Sequence, residues 1–525
     1  MKLFFLLVST VIIAMSSIAQ NVGIGTTNPL ARLHVADSSV LFTGVFIQSS
    51  RFPPISGPGY RMMWFPSKAA FRVGYVGGPN WDRDSIGVYS FAAGYDTKAK
   101  GMHSFASGYL SKANVDYSTA MGSSIANGFS SMALGSSCTS NGEQSTAMGY
   151  FSQSNGNYST AIGYINDAAG LASTAIGRSS SSIGDYSTTI GYSSQSLGYG
   201  SMALGYQDTA RGQYAVALGY KNNAHGAYSM AMGIESNARS FYSTSMGLGT
   251  LAKASGSFVT GIYNDTSDAP ILNFFGETDR IFQIGNGYYS SRSNAVTVLK
   301  NGNTGIGTVN PFTKLHVSAG SSGSTSSYYP FVVENSGNAY INLLSPNNNE
   351  SGILFGKPFA PEHGGIIYDN DGNLDGFQFR TNGNNAKMVI TATGEVGIAT
   401  IAPTEKLHVM GNVKANAYLN NSDIRYKESI EPLQNSLEKL LQLQGVNYYF
   451  KKEFQYDGND KKQVGFIAQE VEKIIPELIH TNNEGYKAIE YSKLTALLTE
   501  AIKEQQKQIE QLKLEVLELK KKGSR

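Results

Sequence analysis

Seven histidines and one cysteine in 525 residues leave few groups for metal or thiol chemistry. Three of the histidines, His34, His316 and His408, recur in one motif. It reads Gly23-Ile-Gly-Thr-Thr-Asn-Pro29 with Arg32-Leu-His-Val35, then Gly305-Ile-Gly-Thr-Val-Asn-Pro311 with Lys314-Leu-His-Val317, then Gly397-Ile-Ala-Thr-Ile-Ala-Pro403 with Lys406-Leu-His-Val409. The three lie far apart and lack ligand spacing, so each reads as a packed residue carried along with its module; a ring of three across a threefold axis is the alternative. The glycines of the motif invite comparison with a phosphate loop, but no Gly-Lys-Ser/Thr follows and no helical pattern opens after them, so nucleotide binding is rejected. Cys138 fills a repeat position held otherwise by Ala, Ser or Thr and reads as a small core residue. With one thiol the chain has no intramolecular disulfide. Asp82, Asp84, Glu277 and Asp279 make no acid–base pair by sequence. Ser422-Asp423, with Lys427 five residues on, reads by residue type alone as a helix N-cap and a solvated helix face. No cofactor and no metal is expected.

The elements around these residues change character along the chain. Met1-Lys2, the apolar run Leu3 to Met15 and Ser17-Ile-Ala19 read as a signal peptide over residues 1–19, with a mature start near Gln20. Nothing later is apolar for long enough to span a bilayer as a helix, so no transmembrane segment is expected. The net charge of +2 carries no partner signal, but its distribution does. Residues 422–525 hold 17 basic and 17 acidic side chains, and the 421 residues before them only 24 and 22. The charge-poor part is rich in Gly, Ser and Asn, and a boundary is expected near residue 421.

From Ser90 to Gly261 the chain repeats Ser-x-Ala-x-Gly, as in Ser118-Thr-Ala-Met-Gly122, Ser159-Thr-Ala-Ile-Gly163 and Ser201-Met-Ala-Leu-Gly205. From Gly94 to Gly261 the closing glycines recur at intervals of 14 residues, with a single interval of 13, which is the signature of a solenoid. A second glycine per unit (Gly128, Gly142, Gly156, Gly170) implies two short strands per coil, with glycine supplying positive φ at the corners. Each coil is expected to bury one Ala and one Met, Ile or Leu, a thin core that stacking and neighbouring chains must complete. Tyr89, Tyr117, Tyr158, Tyr186, Tyr214 and Tyr228 recur near the Ser position and are expected to pack on one another. This repeat closely resembles the left-handed β-roll head of YadA-type trimeric adhesins. The resemblance implies a homotrimer that binds a surface glycan or protein, with no residue here identifying the ligand.

The three Gly-Pro-His modules resemble those of phage tail fibres and bacterial surface fibres. Between them, Tyr328 to Glu334, Ala339 to Leu344 and Lys387 to Ala392 alternate like strands, so 262–409 reads as a β shaft.

Beyond Leu419-Asn-Asn421 the pattern turns helical: Ile430, Leu433, Leu437, Leu440 and Leu441, then Gly465-Phe-Ile-Ala-Gln-Glu-Val471 opening a helix, then Tyr491-Ser-Lys-Leu494 leading into the last one. Leu498, Ile502, Gln505, Ile509, Leu512, Val516 and Leu519 step by 4 and 3, the seam of a left-handed coiled coil over 494–522. By side-chain type alone this seam favours a dimer. Lys503, Glu504, Lys507, Glu510, Lys513 and Glu515 are assigned to its solvated flanks. Ser-Asp-x-Arg-x-Lys, Gly-Phe-Ile-Ala-Gln-Glu-Val and Tyr-x-x-Leu-x-x-Leu-Leu, together and in order, are very similar to the intramolecular chaperone auto-processing domain of phage endosialidases, tail spikes and myelin regulatory factors. That resemblance implies a trimer and a self-cleaving dyad at Ser422 and Lys427. A serine hydroxyl is a weak nucleophile and needs a base, and a lysine serves once desolvation lowers its pKa from about 10.4. Burial on assembly would supply that. Arg425 is a candidate for assisting by repulsion or by orienting a carbonyl. Gln469 and Glu470 match positions near the processing site, with a helix-start role as the alternative. The bond cut is either Asn421–Ser422, whose carbonyl the hydroxyl reaches through a five-membered ring, or Ser422–Asp423.

The expectation is a mainly β, secreted or cell-surface homotrimeric fibre. Its parts are a signal peptide (1–19), a collar (20–89), a β-roll solenoid head (90–261), a β shaft (262–421) and a C-terminal α+β chaperone domain (422–525) ending in a coiled coil. Its one catalytic act is autoproteolysis. The alternatives are a phage-derived tail fibre or a tail spike degrading polysaccharide; nucleic-acid binding through Lys520-Lys-Lys522 is the weaker reading of a solvated tail.

Overall fold

The computed structural model describes residues 21–46, 52–270, 274–323, 328–370, 374–451, 460–482 and 484–524; the expected signal peptide lies outside the described residues. Two compact units are present, Met1–Tyr340 and Ile341–Arg525.

The first unit is built on a parallel β-roll. In two repeats a pair of strands runs together, as Thr119–Ala126 and Met132–Ser140, but most repeats form a five-residue strand such as Thr160–Tyr164 and a two-residue strand such as Asp167–Ala168. Both pair in parallel with the same strands of the next repeat, Thr174–Arg178 and Ser181–Ser182. Because the register is constant, equivalent residues stack: Ala133, Ala147, Ala161 and Ala175 form one column, all fully buried. The short strands supply a second column, among them Ala99, Ala113, Ala168, Ala210, Ala224 and Ala238. The core is therefore alanine on alanine or serine. The expected Met, Ile or Leu is not its partner: Met121 and Ile190 are 41% and 42% exposed. Alternation explains the difference, since a residue next to an inward alanine must point outward. One chain thus carries a row of large apolar side chains on the outside of its long strands.

The corners match expectation in part: the closing glycines from Gly94 to Gly261 carry the expected positive φ, between 89° and 140°, but other corners hold no glycine. Those at Tyr158, Ile165, Tyr186, Ser193, Tyr214 and Lys221 are left-handed without being glycine, with φ between 51° and 61°. Glycine is also needed where coils nearly touch: a Cβ on Gly156, which has no positive φ, would lie 2.0 Å from the Gly170 carbonyl oxygen. Of the tyrosines expected to pack on one another, Tyr214 and Tyr228 stack at 5.4 Å, Tyr89 and Tyr117 stack on His103 between them at 4.9 and 5.1 Å, and Tyr186 meets Tyr199 edge-on. A separate row, Tyr192, Tyr206 and Tyr220, stacks at 4.9 and 5.0 Å with its rings partly exposed. Cys138 is buried in a corner column shared with Ser124, Ser152, Asn166 and Asp208, a polar column with no alanine.

Both ends of the roll are closed. Ala70–Val76 pairs with Gly59–Phe65 on one side and with the first repeat strand, Phe91–Tyr95, on the other, which sets Arg72 against Ala92 in the alanine column. The Arg72 guanidinium is fully buried and donates to the carbonyls of Phe71, Ser90 and Ala99 and to Ser90 Oγ; burial pushes its pKa down to about 9. Trp81, also buried, donates Nε1–H to the Thr97 carbonyl at 2.8 Å. At the other end Gln283 succeeds Val259 in the column, and its Oε1 accepts from Asn264 and Asn294.

The second unit opens with a six-stranded sheet whose strands neighbour one another in chain order, from Ser351–Lys357 to Leu407–Val409. Helices α1 (Ser436–Gln442), α2 (Ala468–Ile474) and α3 (Leu494–Gly523) follow, with two small hairpins. Val471, Ile475, Leu478, Leu494 and Leu497 form their core, with Leu440 and Leu443 packed against it. Ile430 and Leu433, expected on a helix, lie in exposed coil before α1. Glu504, expected to be solvated, accepts from the backbone N–H groups of Ser436 and Leu437 at 3.0 and 2.8 Å and so caps α1.

Candidate functional site

Asp423 sets the local geometry of the site. Its carboxylate accepts from the backbone N–H of Arg425 at 2.9 Å and closes a short 3₁₀ turn, Ile424–Tyr426. Backbone bonds from Tyr426 to Asp423 and from Lys427 to Ile424, both 3.0 Å, complete the turn. The chain doubles back, and Lys427 Nζ donates to Ser422 Oγ at 2.7 Å. Sequence alone suggested a helix N-cap here; the cap is real, but it belongs to Asp423 and to a single turn.

Arg425 grips Asp423 from the side chain as well, through Nε at 3.0 Å and Nη2 at 2.8 Å. These bonds hold the Asp423 carboxyl below the usual carboxylate range and push the Arg425 guanidinium up. The expected partner, a backbone carbonyl beside Ser422, is not among the bonds Arg425 makes here.

Ser422 and Lys427 open onto a cleft of about 540 Å³, lined also by Asn421, Lys439, Leu478, Glu490 and Lys493. Glu490 and Lys493 are ion-paired at 2.6 Å. Glu477 lines the same cleft. Sequence reading passed over Lys439, Glu477 and Glu490, because no motif marks them and only the fold brings them to the serine, from α1, from the turn Pro476–Leu478 and from the end of the strand Lys487–Ile489. Glu470 faces elsewhere, into a separate concavity between the end of α1 and α2, and Gln469 beside it is exposed.

The three module histidines serve their own modules. His34 Nδ1 accepts from the Leu30 N–H at 3.2 Å and His408 Nδ1 from the Thr404 N–H at 3.3 Å, each closing the bend four residues before it. His316 is buried and meets Glu334 at 2.9 Å. Among the described residues no group of three or more His, Cys, Asp or Glu is placed to hold a metal, and no helix is long and apolar enough to cross a membrane.

Comparison with known proteins finds two family matches and a set of phage fibre relatives. The family described as chaperone of endosialidase matches residues 422–480. The YadA head domain repeat matches 85–111, 99–124, 126–152, 140–164, 168–194, 182–207 and 210–236. Long tail fiber protein Gp37 of Salmonella phage S16 is 37% identical over 105 residues, 19% of this chain and 14% of that protein. Gp37 of Enterobacteria phage K3 is 28% identical over 197 residues, 36% of this chain and 14% of the relative. Gp37 of Escherichia phage AR1 is 38% identical over 87 residues, 16% of this chain and 8% of that relative. The chain thus spans a seventh or less of the length of these relatives.

Proposed function

We propose that a chain carrying YadA head repeats and an endosialidase-type chaperone domain is a homotrimeric fibre subunit whose residues 422–525 guide assembly and then cut themselves away at Ser422. The observation that carries the reading is the 2.7 Å contact between Lys427 Nζ and Ser422 Oγ, placed where the match to the chaperone family begins.

While charged, the lysine donates in that contact; once neutral, it accepts the Oγ proton. Oγ then attacks the Asn421 carbonyl carbon through a five-membered ring. The C–N bond to Ser422 breaks, the departing nitrogen takes a proton from the lysine ammonium, and Asn421 is left esterified to Oγ. Water hydrolyses this ester, giving an Asn421 carboxylate and a Ser422 amino terminus. Both dyad residues are exposed in the single chain. Covering the cleft on trimer assembly would desolvate the amine and favour its neutral form, which ties cutting to correct folding. The outward Met, Ile and Leu row of the head and the unpaired seam of α3 are the surfaces that three chains would bury.

Ser422→Ala should leave one uncut chain on a denaturing gel, and the released wild-type fragment should begin Ser-Asp-Ile-Arg. A C-terminal fragment persisting in the variant would remove Ser422 as nucleophile, and one beginning Asp-Ile-Arg would move the cut to the next bond.

The phage relatives favour a virion fibre as the second reading, whereas the pattern of residues 1–19 favours export to the cell surface. A mature chain starting at Gln20 decides for export. Polysaccharide cleavage has the weaker support, since a glycosidase needs two facing carboxylates and residues 90–261 hold only seven acidic side chains, scattered along the repeats.

A further inference from the structure

Three successive coils place a basic side chain at one position. Arg211, His225 and Arg239 each follow a two-residue strand, Thr209–Ala210, Asn223–Ala224 and Asn237–Ala238. Their backbone N–H groups donate to the carbonyls of Ala224, Ala238 and Ala252 at 2.8, 2.7 and 2.9 Å. The three side chains therefore leave the roll from equivalent places, one strand spacing of about 4.8 Å apart. All are exposed. They also feel one another: burial first, and then the charges of Arg211 and Arg239, pull the His225 pKa down.

The coil itself does not require cations here. Earlier in the same column Asn114, Asn127, Asn141 and Asn155 hydrogen-bond from coil to coil at 2.7, 2.8 and 2.7 Å. The guanidiniums on either side of His225 disfavour its charged form and give up the coil-to-coil bonds that amides make earlier in the column. No ion pair among the described residues involves these three. In the same coils Glu235 stands at the far end of the short strand and Asp208 is buried. Lys253, next in the column, is already held by the carbonyls of Thr266 and Asp268. Beside the cations run the exposed rings of Tyr214, Tyr228 and Tyr242, stacked at 5.4 and 5.3 Å. Their faces are covered by each other, which denies bases a stacking platform, while each ring carries a phenol hydroxyl able to bond sugar hydroxyls.

We propose that Arg211, His225 and Arg239 form a strip on which an anionic polysaccharide docks along the stack of coils, its sulfates or carboxylates meeting the two guanidiniums and the imidazole N–H between them. This goes beyond the fibre reading by assigning a ligand class to the head, and it stands whether or not Ser422 cuts. The test is binding of the full chain, both wild type and Ser422→Ala, to immobilised heparin and to hyaluronan at about 0.15 M salt. Replacing all three residues by Asn, which this column already carries elsewhere, should keep the circular dichroism and weaken binding by about ten-fold or more. Replacing Lys520, Lys521 and Lys522 by Asn should change nothing. Binding of heparin alone assigns the contact to sulfate, and binding of both assigns it to carboxylate. The proposal is overturned if the triple variant binds like wild type, if neither polysaccharide binds, or if duplex DNA binds as tightly.

Discussion

Asp208 occupies a buried corner at which Asn166 and Asn222 each set an amide nitrogen between two carbonyls. Asn166 Nδ2 donates to Ile162 and Gly177, both at 2.7 Å, and Asn222 Nδ2 to Leu218 and Gly233 at 2.9 and 2.8 Å. Asp208 Oδ2 fills the equivalent place and has no hydrogen-bond partner, although Oδ1 accepts twice from Asn222. Burial raises the Asp208 pKa above its ordinary 3.8. The folded chain thus holds this proton more tightly than the unfolded one, and stability falls as pH rises from about 3.8 to the folded-state value. Asp208→Asn should stabilise the roll near pH 7 by about 1–3 kcal/mol, the usual cost of a buried unsatisfied group, and the gain should shrink at pH values where Asp208 is protonated. Thermal unfolding across that range checks it. The Asp423–Arg425 clamp makes a second prediction at this scale. Asp423→Ala loses the bond that closes the turn beneath Lys427 and should slow cleavage about ten-fold or more, as misplaced reacting groups do, without altering native mass. A time course of fragment release measures it.

A coil of the roll turns on two kinds of position, and only one was legible in the sequence. The period and the strands followed from Ser-x-Ala-x-Gly, because a 14-residue interval kept in eleven of twelve steps has few other structural solutions. The positive φ of the closing glycines followed too; the role of the second glycine of each coil did not, since the sequence shows that a side chain is missing but not whether φ or a neighbouring coil forbids it. At the left-handed corners of Tyr214, Tyr228 and Tyr242 stacking, about 0.5–1.5 kcal/mol per pair, offsets part of a strain of about 1–2 kcal/mol, but Ile165, Ser193 and Lys221 take the same conformation without a ring, so the coil itself imposes it. Gly156→Ala tests the steric account: its backbone is permissive, yet the new Cβ would press on the next coil's carbonyl. A loss of about 1–3 kcal/mol or more is expected, read as local hydrogen exchange around residues 156–170. Substitution at ordinary cost would return the glycine to a role in φ. At the other end of the chain, Ser422 and Lys427 were legible only through the surrounding motif. The clamp between Asp423 and Arg425 was not, because a two-residue spacing says nothing about a turn until the backbone has closed it.

Assembly joins these scales, because the single chain leaves its most apolar rows unused. On α3 the face bearing Leu494, Leu497 and Ala501 is buried in the chaperone core, while Ile502, Ile509, Leu512, Val516 and Leu519 point to solvent. Each of these five half-exposed side chains would contribute about 1 kcal/mol on burial, enough in sum to hold a coiled coil. The proposed cleavage would be tied to the same event, because assembly would cover the cleft onto which Ser422 and Lys427 open. Ile509→Lys combined with Val516→Lys puts charge into the seam more than one turn beyond Ala501, so the local core is untouched. That variant should run as a monomer by native mass and stay uncut, whereas Ser422→Ala should be trimeric and uncut. A monomeric double variant that still cuts at the wild-type rate would show that Ser422 and Lys427 need no assembly, and the link between folding and release would fall while the nucleophile stood.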